Sequence, residues 1–278
     1  MALPAGNRQM FRDDYSTIRC KTDGPVVRVV LNRPDVHNAF NGEMVTELLE
    51  VFSTLHRVSR ESTDVRVVVF TGEGKSFCAG ADLNWMKRVK DYTFEENLKE
   101  SLDISELFYS IYSLPLPTVA RVNGAAVGGG MGFVASCDVA VASSEARFSL
   151  SEVKLGLVPA CISPYVIRKA GEGACREFML TGERLTAEKA MRLGLVNEVV
   201  EPAQLDEAVA CLVQKLVSSG PKAIGICKEL LRTVPGMGFD EVKRSTAEAI
   251  ARLRVSDEGQ EGMKAFLEKR KPRWSPER

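Results

Sequence analysis

The sequence predicts an α/β fold with its strands in the first two-thirds of the chain and a last third that is all helix. Three observations carry this. Short apolar, β-branched runs recur at 26–31, 65–71 and 118–122, the composition strands favour. Stretches with apolar residues at helical spacing alternate with them. From Gln204 onward only helical spacing remains, interrupted at Gly220-Pro221 and Pro235-Gly236.

The turn Thr22-Asp23-Gly24 precedes the first run, so 15–20 and 26–31 form a hairpin. Asn32-Arg33-Pro34 ends it, because proline has no N–H for a ladder. Asn41-Gly42-Glu43 opens a helix in which Met44, Val45, Leu48, Leu49, Phe52 and Leu55 share a face. His56, at the edge of that face, reads as structural. His37, in the loop after Pro34, reads as structural or ligand-adjacent.

Residues 65–71 are apolar throughout, which fits a strand buried on both faces. The loop 72–81 contains Gly74-Lys75-Ser76, the ending of a P-loop. The earlier glycine that motif needs would fall at Val69, which excludes nucleoside triphosphate binding. Asp82 is placed to cap the helix that carries Leu83, Trp85 and Met86. A second helix, about 94–112, stops before Pro115 and Pro117.

The run 118–122 leads into Asn123-Gly124, then Gly128-Gly129-Gly130, then a helix ending near Cys137. A short strand covers 138–142. Glu152 follows, flanked by Leu150 and Val153. Next come the loop Gly156-Leu157-Val158-Pro159-Ala160, helices over about 163–180, and a helix capped by Thr186.

Composition narrows the function. The chain has 278 residues, 45% hydrophobic and 27% charged, in the globular range. Lys plus Arg equals Asp plus Glu at 37 each, so the overall charge leaves no footprint for nucleic acid or an anionic membrane. The C-terminal end is locally basic. There Lys264, Lys269, Arg270, Lys271, Arg273 and Arg278 face only Glu268 and Glu277. It reads as a solvated tail, with a phosphate-contacting segment as the rival. No apolar run approaches the roughly 20 residues of a membrane span. Residues 1–14 hold no signal-peptide core, so secretion is not expected. The seven cysteines are widely spaced without Cys-x-x-Cys, and there are two histidines. No metal site is expected, and reduced thiols fit a cytoplasmic location.

Two loops share one design. Cys78-Ala79-Gly80-Ala81-Asp82 and Gly128-Gly129-Gly130 each follow a strand and start a helix. Without side chains in the way, backbone N–H groups at such a junction face a ligand directly, aided by the helix dipole. Two amides converging on one point would form an oxyanion hole, and Glu152 in apolar company would be its general base.

With these residues the sequence resembles the crotonase (enoyl-CoA hydratase/isomerase) superfamily. The matching pieces include Leu31-Asn32-Arg33-Pro34 with Asn38-Ala39, and Phe77-Cys78-Ala79-Gly80-Ala81-Asp82-Leu83. They continue with Val122-Asn123-Gly124 through Gly130, Cys137-Asp138, residues 148–159 and Glu261-Gly262-Met263-Lys264-Ala265-Phe266. The resemblance runs over essentially the whole chain. It implies a ClpP-like spiral of ββα units as an acyl-CoA-binding core over 1–203, and a helical trimerisation region over 204–278. It implies an acyl-CoA thioester substrate, coenzyme A being part of that substrate and no cofactor being needed. The assembly implied is a homotrimer or a dimer of trimers. The N–H groups of Ala81 and Gly129 would hold the thioester oxygen, with Glu152 as the proton-transferring carboxylate. Ala79, Asp82, Leu83 and Gly128 would bind the substrate, and Trp85, Met86, Phe133 and Ile162 would shape the pocket for its acyl part. Phe266 and Lys269 would reach the coenzyme A adenine and phosphates.

One departure stands out. The hydratases carry a second glutamate two residues after the third glycine, and here that position is Gly132. Hydration needs a base for water and an acid for the α-carbon. A double-bond shift needs a single carboxylate that removes a proton and returns it elsewhere. Gly80-Ala81-Asp82-Leu83-Asn84-Trp85-Met86, residues 150–156 and Ile162-Ser163-Pro164-Tyr165 resemble the methylglutaconyl-CoA hydratases of leucine breakdown. Hydration of an α,β-unsaturated acyl-CoA is therefore the expected reaction. A Δ3,Δ2-enoyl-CoA isomerase is the first rival. A non-catalytic acyl-CoA- or RNA-binding scaffold is the rival of another class.

Overall fold

The structure, a computed structural model, describes residues 10–275. Two strands, β1 (Ile18–Asp23) and β2 (Val26–Leu31), pair antiparallel across the expected turn. The first strand sits three residues later than its apolar run suggested. Asn41 then caps α1 (Gly42–Glu61) by accepting the Met44 amide on its side chain. The face predicted for this helix is the one it buries, with Leu49 only half-covered.

Next come β3 (Val67–Gly72), α2 (Leu83–Val89), α3 (Phe94–Ser113) and β4 (Thr118–Val122). After them follow β5 (Ala126–Val127), α4 (Gly129–Ser136), β6 (Val139–Ser143) and β7 (Arg147–Ser149). A 3₁₀ turn, Glu152–Leu155, leads to α5 (Ser163–Ala170), α6 (Glu172–Thr181), β8 (Arg184–Thr186), α7 (Ala187–Arg192) and β9 (Glu198–Val200). The chain ends in α8 (Leu205–Val217), α9 (Pro221–Thr233), α10 (Phe239–Val255) and α11 (Asp257–Leu267).

One sheet has the order β1-β2-β3-β4-β6-β9, parallel apart from the β1–β2 hairpin. A smaller sheet, β5-β7-β8, lies beside it in sequence. All six residues of β3 are buried, so the continuous apolar run does mark a strand covered on both faces. Strand alternation divides them. Val68 and Phe70 join the main core with Leu48, Phe52, Phe108 and Phe133. Val67 and Val69 face the opposite way and pack with Leu205, Val209, Val213 and Val217 of α8. Each such side chain contributes about 1.5–3 kcal/mol on burial.

One ion pair ties the helical third to the sheet region, and a second group of ion pairs lies within the helical third itself. Lys228 Nζ on α9 meets Asp138 Oδ2 at 2.6 Å and the Leu116 carbonyl at 2.8 Å. Glu261 receives Arg270 at 2.7 and 3.0 Å, and Arg273 at 3.3 Å. The Arg270 hydrogen bond holds the Glu261 carboxyl at about 2, against the opposing effect of burial. Arg270 also meets Glu268. The basic run is thus partly neutralised within the chain. Its last members, Glu277 and Arg278, lie outside the described residues.

Candidate active site

Parallel strands β3 and β4 end side by side, and each runs into a glycine-containing loop that starts a helix. Ligands in such sheets gather at the carboxyl ends of strands. The two loops are stitched together by backbone. Cys78 N–H donates to the Ala125 carbonyl at 2.9 Å, and Val127 N–H donates to the Cys78 carbonyl at 2.9 Å. A carbon added at Gly130 would lie 2.2 Å from the Cys78 carbonyl oxygen. Gly80 (φ +94°) and Gly128 (φ +53°) face each other so closely that a Cβ on either would be 3.9 Å from the other's Cα. These φ values suit glycine.

Glu152 comes to the same point. It opens its 3₁₀ turn three residues after Ser149, whose carbonyl accepts the Gly128 amide at 2.8 Å. Glu152 Oε1 is 3.1 Å from where a Cβ on Gly128 would stand. Oε2 is buried with no hydrogen-bond partner. Burial pushes the carboxyl above its ordinary range, opposed only by a hydrogen bond from its own backbone N–H. A buried carboxylate oxygen left unpaired is costly, which suits a group that completes its hydrogen bonding with a ligand or a ligand's water.

The amide of Ala81 is free. Phe40 pairs with the loop through the Gly80 carbonyl at 2.8 Å and the Asp82 amide at 2.9 Å. The Ala81 N–H between them therefore turns the other way and has no acceptor among the described residues. Gly129 is the first residue of α4, and its N–H likewise has none. Two free amides beside a carboxylate can stabilise a negative oxygen while the carboxylate moves a proton.

The remaining positions singled out by sequence have varied surroundings. Ala79 donates its N–H to the His37 carbonyl at 3.0 Å, so it holds the loop. Asp82 has both oxygens engaged inside the protein. Oδ1 accepts the Asn84 and Trp85 amides, and Oδ2 pairs with Arg33 at 2.8 Å. Burial raises its pKa, but Arg33 and those amides hold the net value below the usual carboxylate range. Its carboxylate therefore acts as cap and anchor, not as a free substrate ligand. Trp85 is buried edge-on to Phe40 at 5.5 Å, and its Nε1 donates to Glu100 at 2.6 Å. Met86 is half-buried and Leu83 is exposed.

Phe133 is fully buried, 5.0 Å from Phe108 and 5.2 Å from Phe70, so it backs the site from behind. Ile162 lies over Gly132, where a Cβ would come 2.3 Å from Ile162 Cγ2 and 3.0 Å from Phe108 Cε1. The place a side chain at 132 would take is filled by hydrocarbon. Phe266 and Lys269 are exposed on and just after α11, which packs on α10.

Some partnerships emerged only in three dimensions. Phe40 lies under the cradle, where a Cβ at Gly129 would meet its Cε1 at 2.3 Å. Asn38, fully buried, bonds Arg33 N–H, the Glu73 carbonyl and the Ser76 carbonyl at 2.8–2.9 Å. His37 meets Ser76 Oγ at 3.0 Å. The motif around Arg33, Asn38 and Ala39 was visible, but its partners were not. A cavity of about 1110 Å³ between α1, α3 and α9 is lined by His56, Tyr109 and Arg232 among others, and by none of the cradle residues. Among the described residues no cluster of His, Cys, Asp and Glu could hold a metal ion, and no helix is long and apolar enough to cross a membrane.

Known proteins are similar to this chain in sequence and fold. The family model for enoyl-CoA hydratase/isomerase matches residues 21–277. A Thermus thermophilus relative is 41% identical over 251 residues, spanning 90% of this chain and 98% of its own. The short-chain-enoyl-CoA hydratase of Clostridium acetobutylicum is 33% identical over 93% of this chain and 97% of its own. The crystal structure of an enoyl-CoA hydratase from Shewanella pealeana matches with a TM-score of 0.89 at 40% identity, covering 94% of this chain and 97% of that one. The fold is thus the α/β crotonase fold. The chain belongs to the enoyl-CoA hydratase/isomerase family of enzymes, whose substrates are acyl-CoA thioesters.

Proposed function

We propose that this enzyme adds water across the double bond of an α,β-unsaturated acyl-CoA. The Ala81 and Gly129 amides hold the thioester oxygen, and Glu152 transfers the proton. The unpaired, buried Oε2 of Glu152 beside two free amides is the observation that carries this reading. As a nucleophilic water attacks the β-carbon, Glu152 takes its proton. Negative charge collects on the thioester oxygen, where each donor is worth about 3 kcal/mol. Protonation at the α-carbon then completes the addition. With Ile162 and Phe108 filling the space at Gly132, Glu152 serves both proton transfers. No cofactor is needed, since coenzyme A arrives with the substrate.

The acyl group we favour is branched and carboxylated, of the methylglutaconyl type formed in leucine breakdown. The resemblance of residues 80–86, 150–156 and 162–165 to that branch supports it. A cytoplasmic homotrimer or dimer of trimers is the matching assembly, with 1–203 as core and 204–278 joining the copies. The exposed Phe239, Val255, Phe266 and Leu267 on α10 and α11 support that role. Contact of Phe266 and Lys269 with coenzyme A would then be made across subunits.

The same lone carboxylate favours a second reading, a Δ3,Δ2-enoyl-CoA isomerase. A panel of purified 2-enoyl- and 3-enoyl-CoAs with product identification separates them. Hydration consumes the conjugated absorbance of a 2-enoyl-CoA and yields a 3-hydroxyacyl-CoA. Creation of that absorbance from a 3-enoyl-CoA, with no hydroxyacyl product from any 2-enoyl-CoA, would overturn the hydratase assignment.

A further inference from the structure

We propose that Arg33 is a positioning residue that aims and polarises the Ala81 amide through two intervening peptide groups. The inference rests on the reading that this amide binds the thioester oxygen. Arg33 Nη1 donates to the Ala39 carbonyl. That carbonyl shares a peptide plane with the Phe40 N–H, which donates to the Gly80 carbonyl at 2.8 Å. The Gly80 carbonyl in turn shares a plane with the Ala81 N–H, the free donor of the cradle.

In a trans peptide the C=O and N–H point in opposite directions. Gripping the Ala39 carbonyl therefore sets the Phe40 N–H, and gripping the Gly80 carbonyl sets the Ala81 N–H. The control is needed because Gly80 (φ +94°) is a glycine and its peptide planes turn easily. Ala81 has only a methyl group with which to resist. The guanidinium also meets Asp82 Oδ2 at 2.8 Å, so it holds the residue that follows Ala81 directly.

The chain of bonds is also electrical. A cation at one end pulls electron density along successive amides, and each hydrogen bond strengthens the next. The positive guanidinium ends a row whose other end is the thioester oxygen. Negative charge developing on that oxygen in the transition state is met by a donor already polarised toward it. Lysine cannot reproduce this, because its single ammonium lacks the planar fork that reaches Ala39 and Asp82 together.

The test uses the full-length enzyme with butanoyl-CoA labelled with ¹³C at its carbonyl, a saturated thioester that binds without reacting. In the wild type the carbonyl stretch of the bound thioester, read by difference infrared spectroscopy, falls below its value in water. In R33M at least half of that displacement is lost, while the dissociation constant stays within about threefold. On a reactive enoyl-CoA, kcat falls about tenfold with little change in KM, part of the roughly 10²–10³ that a whole oxyanion donor is worth. R33K falls between the two and provides the reading should R33M not fold. D82N, which keeps the Arg33–Ala39 bond, loses less of the displacement than R33M.

Full displacement in both R33M and R33K overturns the inference, as does a loss in D82N equal to that in R33M. A wild-type thioester with no displacement would instead overturn the reading of the Ala81 and Gly129 amides as its binding donors.

Discussion

The loops after β3 and β4 perform the same task by different means. Each turns the end of a buried parallel strand into a helix start with a free amide. The loop after β3 is held by polar side chains: Arg33 on Asp82 and the Ala39 carbonyl, and Asn38 on Arg33, Glu73 and Ser76. The loop after β4 has one polar tether, Asn123 on the Gly74 carbonyl at 2.8 Å, and past it is held by the absence of side chains. A Cβ at Gly124, Gly129 or Gly130 would lie 2.0–2.3 Å from Lys75, Phe40 or Cys78. Steric fit is unforgiving and leaves the backbone one path. Polar tethers are graded, and charge can act along them. The difference predicts which loop fails abruptly and which fails by degrees.

The largest effect belongs to the carboxylate on which both loops converge. E152Q leaves either loop intact, and kcat falls by about 10²–10⁴-fold, the usual share of a general acid–base. Steady-state kinetics with an unchanged circular dichroism spectrum checks this. Its pH behaviour follows from burial. Glu152 in the free enzyme must be ionised to act, so kcat/KM drops as pH falls through a pKa raised above the ordinary 4.5. A carboxyl with a raised folded pKa supports the fold while protonated, and that support is lost as pH rises through it. E152Q should therefore raise Tm, and more so at neutral pH than near pH 4.

G130A tests the glycine-built loop. Its methyl meets the Cys78 backbone, which no rotamer change relieves, and it costs about 3 kcal/mol or more, with activity lost in step. Urea unfolding measures it. N38A tests the tethered loop. It leaves the Arg33 amide and the Glu73 carbonyl short of a partner, and the Ser76 carbonyl with Asn123 at 3.4 Å, at a cost of about 2 kcal/mol, with part of the activity surviving. If G130A proved the milder of the two, the contrast between the loops would collapse.

G132A gives the smallest effect, about 1–2 kcal/mol, because Ile162 can give way where a backbone cannot. Adding I162A should make the pair cost less than the sum of the single changes, as expected for residues in contact. Additive costs in thermal unfolding would mean that Ile162 does not fill the space at 132.

The longer elements were legible because their signals are local. The continuous run before Gly72 read as a doubly buried strand, Asn41-Gly42-Glu43 as a helix start, and Asp82 and Thr186 as caps, as each proves to be. The first hairpin strand was placed too early, because Tyr15 to Thr17 look as strand-like as the residues that pair. The short strands β5, β7, β8 and β9 went unread. Two or three residues carry no measurable period, and only their partners define them. In the candidate site, the two glycine loops and Glu152 were legible as parts of one cradle, and the structure brings them together. Nothing local reveals that Arg33, 49 positions earlier, occupies the second oxygen of Asp82.

The sequence by itself determined which residues could do chemistry here: side-chain-free strand ends and one carboxylate in apolar company. Those are properties of residue type and near neighbours, and folding does not alter them. Tertiary structure decided what the chemistry is coupled to. It brought Gly80, Gly128 and Glu152 to one point, slid Ile162 into the space above Gly132, and set Arg33 at the far end of a row of peptide groups leading to Ala81. These contacts join residues tens of positions apart. They are fixed by how strands and helices pack, which no local pattern in the chain encodes.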